Sequence, residues 1–200
     1  MRVRAVGADA LLLEVDEPAA WFTELWTRRE AGELRAAEIV PGARTVLLDG
    51  LDDRAATAEV IRTWEPAAGA QASLRTVEIP IEFDGADLSD VAHRWQTDEA
   101  GVITRLTSTP LTVAFCGFAP GFAYLSGLPA ELAVPRLDTP RHRVPAGSVA
   151  LADTYAGIYP NASPGGWRLV GRTDAVLFDP DRDPPALLTP GTCVMFKAAP

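Results

Sequence analysis

Lysine is nearly absent from the sequence, and its scarcity excludes two kinds of site. The single lysine, Lys197, lies in the final segment "MFKAAP". A P-loop needs a glycine-rich loop that ends in Lys-Ser or Lys-Thr, and the sequence has none. The terminal position of Lys197 also argues against a lysine that forms a Schiff base. If the reaction of this protein consumes ATP, we therefore expect another chain to bind it.

Cysteine and histidine are equally scarce. The two cysteines, Cys116 and Cys193, and the two histidines, His93 and His142, offer no close-spaced set of zinc ligands, so we predict no metal site. Two distant cysteines do not make a disulfide framework, which favours a reduced, cytoplasmic setting. Ser148, in "AGSVA", does not fit the Gly-x-Ser-x-Gly turn of a hydrolase nucleophile.

Long apolar runs and clustered positive charge are missing as well. No run approaches the roughly 20 apolar residues that span a bilayer, and "MRVRAVGADA" lacks the apolar segment of a secretory signal. The chain has 27 acidic residues against 18 Lys and Arg, a formal net charge of -9. A groove for nucleic acid would need clustered cations. We therefore predict neither a membrane segment nor a nucleic-acid partner.

The residues that are present fall into two halves. In the first half, residues 10–15 and 44–50 read as strands, and residues 16–34 and 52–64 contain helices. In the second half, residues 74–83 alternate between apolar and polar, and residues 86–95 form an amphipathic helix with Asp87 as candidate N-cap. Further strands are predicted at 111–116, 143–152, 167–171 and 193–197, separated by Gly/Pro-rich turns.

These patterns predict an α+β protein with two domains. Short strands with Gly/Pro turns are typical of a closed or nearly closed β-barrel. The small-residue run at 66–73 marks the boundary, which gives an N-terminal α/β-sandwich domain at 1–73 and a barrel domain at 74–200.

Three loops of the second half are candidates for a functional site. In "CGFAPGFAYLSGLP", Gly117 and Gly121 flank Pro120 and would let the backbone approach a ligand closely. The aromatic residues of this loop, Phe118, Phe122 and Tyr124, form either an apolar wall of that site or the plugs of a tight barrel corner.

The second loop carries two arginines. Arg141 and Arg143 would face the same side of a strand, where two guanidinium groups suit a carboxylate or a phosphate. Ser148 and the NH groups around Gly147 could add donors. The alternative is a solvated strand edge. The third loop, at 158–173, is either a turn between strands with Trp167 in the core or a further wall of the site.

Taken together, "GFAPGFAYLSGLP", "TPRHRVPAGSVALA", "GIYPNASPGGWRLVGRT" and "LFDPDRDPPALLTPGTCVMF" resemble the KipI/PxpB family. This family is also called allophanate hydrolase subunit 1, or the first half of a carboxyltransferase domain. The resemblance spans essentially the whole chain. It implies that the barrel is cyclophilin-like.

The resemblance also implies partners and a reaction. Family members pair with a KipA/PxpC-type subunit 2 and, with a LamB/YcsF-type subunit, form an ATP-dependent 5-oxoprolinase that opens 5-oxoproline, a lactam, to L-glutamate. ATP is then expected at a partner subunit. Two alternatives stay open: a subunit of the allophanate hydrolase or urea carboxyltransferase type, and a KipI-like inhibitor of a sensor histidine kinase.

Residues that match the family motifs are the candidate site, although the resemblance does not say which subunit carries the catalytic groups. The candidates are Arg141, Arg143, Gly147, Ser148, Tyr159, Ser163, Gly165, Gly166, Trp167 and Arg172 for substrate binding, and Gly117, Pro120 and Gly121 for the first loop. The chain departs from the family at Tyr155 and Ala156, where relatives commonly have Gln-Thr. A different substrate is one expectation from this departure.

Overall fold

The computed structural model describes residues 1–66 and 75–199. The chain divides into two units, Met1–Ala72 and Ser73–Pro200. The predicted domain boundary between residues 73 and 74 lies outside the described residues. Among those that are described, no helix is long and apolar enough to cross a membrane.

The first unit is an antiparallel sheet covered by two helices. Its elements are β1 (Arg2–Val6), β2 (Ala10–Glu14), α1 (Pro18–Glu30), β3 (Glu38–Pro41), β4 (Thr45–Asp49) and α2 (Arg54–Ile61). The strand order is β1-β2-β4-β3. The alternate residues Leu11 and Leu13 of β2 and Val46 and Leu48 of β4 are buried in one core, as the period of two in a strand requires.

The second unit is built around a seven-stranded sheet. The strands of the whole unit, including two outside this sheet, are β5 (Thr76–Ile81), β6 (Leu111–Cys116), β7 (Ala123–Ser126), β8 (Arg141–Val144), β9 (Ser148–Ala152), β10 (Tyr155–Ile158), β11 (Ser163–Gly165), β12 (Arg168–Arg172) and β13 (Cys193–Ala198). Its helices are α3 (Leu88–Arg94) and α4 (Glu99–Ser108), with a short 3-10 turn at Ala130–Leu132.

The sheet runs β12-β9-β10-β7-β6-β13-β5, and its two edges meet. Glu82, directly after β5, pairs with Arg172 at the end of β12, and each backbone NH donates to the carbonyl of the other at 2.8–2.9 Å. This bridge makes the sheet a nearly closed barrel, which confirms the predicted α+β fold with a barrel. A separate two-stranded ribbon pairs β8 with β11.

Two clusters of apolar residues fill this unit. The larger one joins the alternate residues Val77, Ile79 and Ile81 of β5 to the apolar faces of α3 and α4. The smaller one includes Phe122, Tyr159 and Trp167. All five residues of β9 are buried, because its two faces line different clusters.

The prediction of one strand at 143–152 is wrong. The segment contains the end of β8, a turn at Pro145–Gly147 and the whole of β9. Pro145 has no NH to donate, and Gly147 has φ +79°, a backbone conformation that residues with a side chain rarely adopt. Both features end the ladder, so that the arginines of β8 belong to the ribbon and not to the barrel.

Candidate functional site

The three candidate loops converge on one side of the barrel. The β8–β11 ribbon joins the second loop to the third, with Ser163 opposite Val144 and Gly165 opposite Arg141. The first loop reaches them through aromatic contacts: the ring centroids of Phe122 and Trp167 are 5.5 Å apart.

Seven aromatic side chains form a continuous cluster at this convergence. They are Phe115, Phe118, Phe122, Tyr124, Tyr155, Tyr159 and Trp167. Phe122 and Trp167 are buried, whereas Phe118 is 62% exposed. The aromatic residues of the first loop are therefore of two kinds, since Phe122 plugs the cluster and Phe118 projects into solvent.

Two tyrosines of the cluster are less acidic than usual. Burial raises the pKa of Tyr159 above its ordinary value, and a hydrogen bond with the Trp167 backbone opposes the shift. Burial, together with the negative charge of Asp153, raises the pKa of Tyr155. Both phenols are therefore even harder to ionise than an exposed tyrosine. Tyr155 is half-buried.

Glycines at this site allow close contacts with other atoms. A Cβ on Gly165 would lie 2.3 Å from the Tyr159 hydroxyl oxygen, and one on Gly147 would lie 2.2 Å from the carbonyl oxygen of Thr173. The NH of Gly147 donates to the Tyr159 carbonyl at 2.7 Å. This NH is therefore used inside the protein, and both glycines are explained by packing.

The two arginines of β8 have different surroundings. Nη2 of Arg141 donates to Oδ1 of Asp87 at 2.8 Å, which balances its charge. Arg143 is exposed and forms no ion pair with any described residue. Arg143 is therefore the member of the pair with a guanidinium group available to an anion.

Arg172 lies at the end of β12, where its backbone pairs with Glu82 and closes the barrel. Its guanidinium pairs with Glu82 and with Asp84, and the hydrogen bond to Glu82 followed by the charge of Asp84 raises its pKa. The side chain is well exposed. The ion pairs of Arg172 explain its presence as a stabiliser of the β5–β12 bridge, and its exposure also leaves it accessible to a ligand.

The serines also differ from each other. Ser148 lies buried in β9, and its carbonyl accepts from the Tyr159 NH at 3.0 Å. Oγ of Ser163 is shielded from solvent and has no hydrogen-bond partner among the described residues. Buried hydroxyl groups normally have a partner. Ser163 is therefore the candidate with an unused donor and acceptor.

The remaining candidate residues differ in how exposed they are. Pro120 is exposed and Gly117 is half-buried in the first loop, whereas Gly166 is buried beside Trp167. Next to the loops lies an open cleft of about 550 Å³ lined by Ala146, Gly147, Pro160, Asn161, Thr173, Asp174, Ala175, Val176, Leu177, Phe178 and Pro180. Asp174 is the only charged residue in this lining, so the cleft itself does not suit an anion.

The sequence reasoning missed a buried carboxylate that organises the site. Asp87 occupies the predicted N-cap position of α3, but its side chain makes no capping hydrogen bond. Instead, Oδ2 accepts from the Leu169 NH at 2.6 Å and Oδ1 accepts from Arg141. The sequence offers no local signal for this role, because both partners are more than 50 residues away.

A buried arginine, Arg168, was also missed. Nε of Arg168, on β12, donates to the Pro135 carbonyl at 2.9 Å, and Nη1 donates to Asp90 on α3. Asp87 and Asp90 thus connect α3 to the ribbon and to β12. Among the described residues, no group of three His, Cys, Asp or Glu side chains could hold a metal ion.

The fold and the converging loops define an α+β protein with a barrel of the cyclophilin-like class. The family model of the carboxyltransferase domain, subdomain C and D, matches residues 1–188. The chain is 38% identical over 206 aligned residues to the B-type subunit of 5-oxoprolinase from Escherichia coli O157:H7, covering 98% of this chain and 94% of that protein. It is 36% identical to the corresponding 5-oxoprolinase subunit from Haemophilus influenzae, covering 98% and 97%. The chain belongs to the family of the carboxyltransferase domain, subdomain C and D.

Solved structures give the same fold. TTHA0988 matches with a TM-score of 0.79 and 31% identity, covering all of this chain but only 40% of the TTHA0988 chain. The Kluyveromyces lactis urea carboxylase matches with a TM-score of 0.69 and 22% identity, covering 99% of this chain and 22% of that one. In both, the similar segment is one part of a longer chain.

Proposed function

We propose that this protein is the B-type subunit of an ATP-dependent 5-oxoprolinase, which opens the lactam ring of 5-oxoproline to give L-glutamate. The observation that carries the proposal is the match to two proteins that bear the name of this 5-oxoprolinase subunit, over nearly the full length of both chains. A match of this extent includes both units of the chain and all three loops of the site.

ATP is assigned to a partner subunit. Opening of the stable lactam amide is expected to be coupled to ATP hydrolysis. The only lysine of the sequence, Lys197, lies on β13 and pairs with Glu78 at 3.2 Å, so the chain does not offer the phosphate-binding lysine of a P-loop.

The partners in the proposal are a KipA/PxpC-type subunit 2 and a LamB/YcsF-type subunit. The coverage of TTHA0988 supports an association with a further polypeptide, since the similar segment there is joined to a longer remainder. A site completed by another chain also agrees with the open form of the cleft at the loops.

Within the complex, this chain would hold the substrate and exclude water. Arg143 is free to bind the carboxylate of 5-oxoproline, and charge-assisted bonds of this kind are the strong ones. The half-buried phenol of Tyr155 adds a donor that carries no competing charge.

The test is co-expression of this chain with the two partner subunits and an assay of glutamate release from 5-oxoproline and ATP. Arg143→Ala should raise KM for 5-oxoproline at least tenfold, whereas Arg35→Ala, at an exposed arginine of the first unit, should leave it unchanged. Full activity of the partner subunits without this chain would refute the proposal.

A carboxyltransferase role with urea-derived substrates is the second candidate, because the matching family model is that of the carboxyltransferase domain. The same purified complex should be assayed with urea and allophanate. Turnover of either compound in place of 5-oxoproline would favour this candidate.

A further inference from the structure

Large apolar side chains are exposed at only one place among the described residues of the second unit. Phe118 and Val176 are both 62% exposed, and Phe178 is 36% exposed. Phe178 packs on the backbone of Gly121, in the same loop as Phe118, since a Cβ on Gly121 would lie 2.7 Å from the Phe178 Cβ. Val176 and Phe178 both line the cleft described above. We call Phe118, Val176 and Phe178 the apolar face.

The backbone holds Phe118 in a costly conformation. Its φ is +67°, and the Ala119 NH donates to the Gly117 carbonyl at 2.7 Å across it, which is the hydrogen bond of a tight γ-turn. Such a turn with positive φ is rare and strained, and strain of this kind clusters at functional sites. The loop is held from both sides, because Gly117 and Phe122 are joined by a backbone hydrogen bond at 3.2 Å.

A single arginine fixes the other half of the apolar face. The guanidinium of Arg182 donates to the carbonyls of Val176, Leu177, Pro184 and Pro185 at 2.8–3.3 Å. These bonds tie residues 176–185 into one shape and present Val176 and Phe178 outward. An interface that is ordered before binding loses less entropy on association.

The charges within residues 174–183, the segment that carries Val176 and Phe178, are mostly negative. Asp174, Asp179, Asp181 and Asp183 surround these two residues in sequence, and none forms an ion pair with a described residue. Arg182, the one cation of this segment, is occupied by backbone carbonyls. An apolar centre with an unpaired acidic rim complements a partner with an apolar protrusion and a basic rim. A second copy of this chain fits poorly, because it would bring two acidic rims together.

We propose that the apolar face is the docking surface for the other subunit of the complex that completes the candidate site, and that this subunit presents an apolar protrusion surrounded by Lys and Arg. The inference rests on the proposed function for the existence of that subunit. It assigns to Phe118, Val176 and Phe178 the central contacts and to the aspartates the orientation of the partner.

The experiment compares two double variants in the co-expressed complex. Phe118→Asp with Val176→Asp should weaken co-purification of the KipA/PxpC-type subunit at least tenfold. Val40→Asp with Val60→Asp, at two exposed valines of the first unit, adds the same charge and should leave co-purification unchanged. Both proteins should unfold at the temperature of the wild type, because the replaced side chains are exposed.

A third variant separates binding from folding. Phe118→Gly removes the side chain and relieves the positive φ, so it should unfold at an equal or higher temperature and still bind the KipA/PxpC-type subunit more weakly. The double reversal Asp174→Lys with Asp181→Lys should slow association and reduce its dependence on salt.

The outcomes distinguish this inference from the proposed function. Co-purification that is unaffected by the Phe118 and Val176 changes, or a wild-type chain that does not bind the KipA/PxpC-type subunit, would overturn the docking surface even if 5-oxoproline is turned over. A wild-type homodimer that these changes dissociate would also overturn it, in favour of a second copy. Association that needs the apolar face, in a complex without 5-oxoprolinase activity, would support the docking surface and refute the proposed function.

Discussion

At the scale of single residues, Asp87 connects three elements of the barrel unit. It lies at the start of α3, accepts from Arg141 of β8 and accepts from the Leu169 NH of β12. The Asp87 NH in turn donates to the Leu169 carbonyl at 2.9 Å. Because the carboxylate is buried, removing it would leave a guanidinium and a backbone NH without their acceptor.

The substitution Asp87→Ala should therefore lower the free energy of unfolding by about 3 kcal/mol, near the cost of breaking a buried ion pair. Asp87→Asn keeps one acceptor and should cost about half as much. Urea denaturation measures both. Glu59→Gln, in an exposed pair with Arg62, is the control and should cost less than about 1 kcal/mol. An Asp87→Ala protein as stable as this control would refute the structural role.

Cys116 gives a prediction for the pH dependence of stability. Burial raises the pKa of its thiol to about 11 from an ordinary value of 9.0, and Sγ lies 3.5 Å from the Leu188 carbonyl. A folded pKa above the unfolded one means that the stabilisation is complete below pH 9 and is lost as the pH rises from 9 to 11.

Thermal unfolding between pH 8 and pH 11 should show this loss. Cys116→Ser, which does not titrate in this range, should lose less stability than the wild type over the same interval. Cys193→Ser serves as the matched control for the replacement of a thiol by a hydroxyl group. If Cys116→Ser and the wild type show the same pH dependence, the thiol is not protected by burial as described.

At the scale of elements, the sequence predicted β5 from its alternation, but it did not predict β1, and it merged β9 with the end of β8 into one strand. The alternation of β5 appears directly in the buried residues Val77, Ile79 and Ile81. By contrast, β1 is exposed at four of its five residues, and β9 is buried at all five. Neither pattern alternates, because β1 lies at a sheet edge and β9 lies between two apolar clusters.

The candidate site likewise has features that the sequence predicted and features that it did not. Local motifs located the three loops, and the first loop alone offered Phe118, Phe122 and Tyr124 either as an apolar wall or as the plugs of a barrel corner. The ion pair of Asp87 with Arg141 and the contacts of Tyr155 join distant segments. Contacts of this kind depend on topology, which spacing in the sequence does not contain.

The closure of the barrel is an element-scale feature with a direct test. The amides of Glu82 and Arg172 donate to each other's carbonyls across the β5–β12 edge. Both amides should exchange with D2O more slowly than the NH of Asp181, which bonds to a side chain in an exposed loop. Exchange by two-dimensional NMR measures all three. Fast exchange at both Glu82 and Arg172 would indicate an open sheet.

At the scale of the whole molecule, each unit has an apolar core of its own. Among the described residues, the core of the first unit is drawn from residues 3 to 64, and both clusters of the second unit are drawn from residues 77 to 196. In the second unit, the first and last strands also pair with each other. The last strand, β13, pairs in parallel with the first, β5, over all six residues from Cys193 to Ala198.

A fragment of residues 73–200 should therefore fold without the first unit and unfold cooperatively in urea. A fragment of residues 73–190 lacks β13 and should not fold, because β5 and β6 would lose the strand between them. Near-ultraviolet circular dichroism reports the ordered packing of the aromatic cluster in both fragments. A native spectrum for residues 73–190, or its absence for residues 73–200, would contradict the assignment of β13 as the strand that completes this unit.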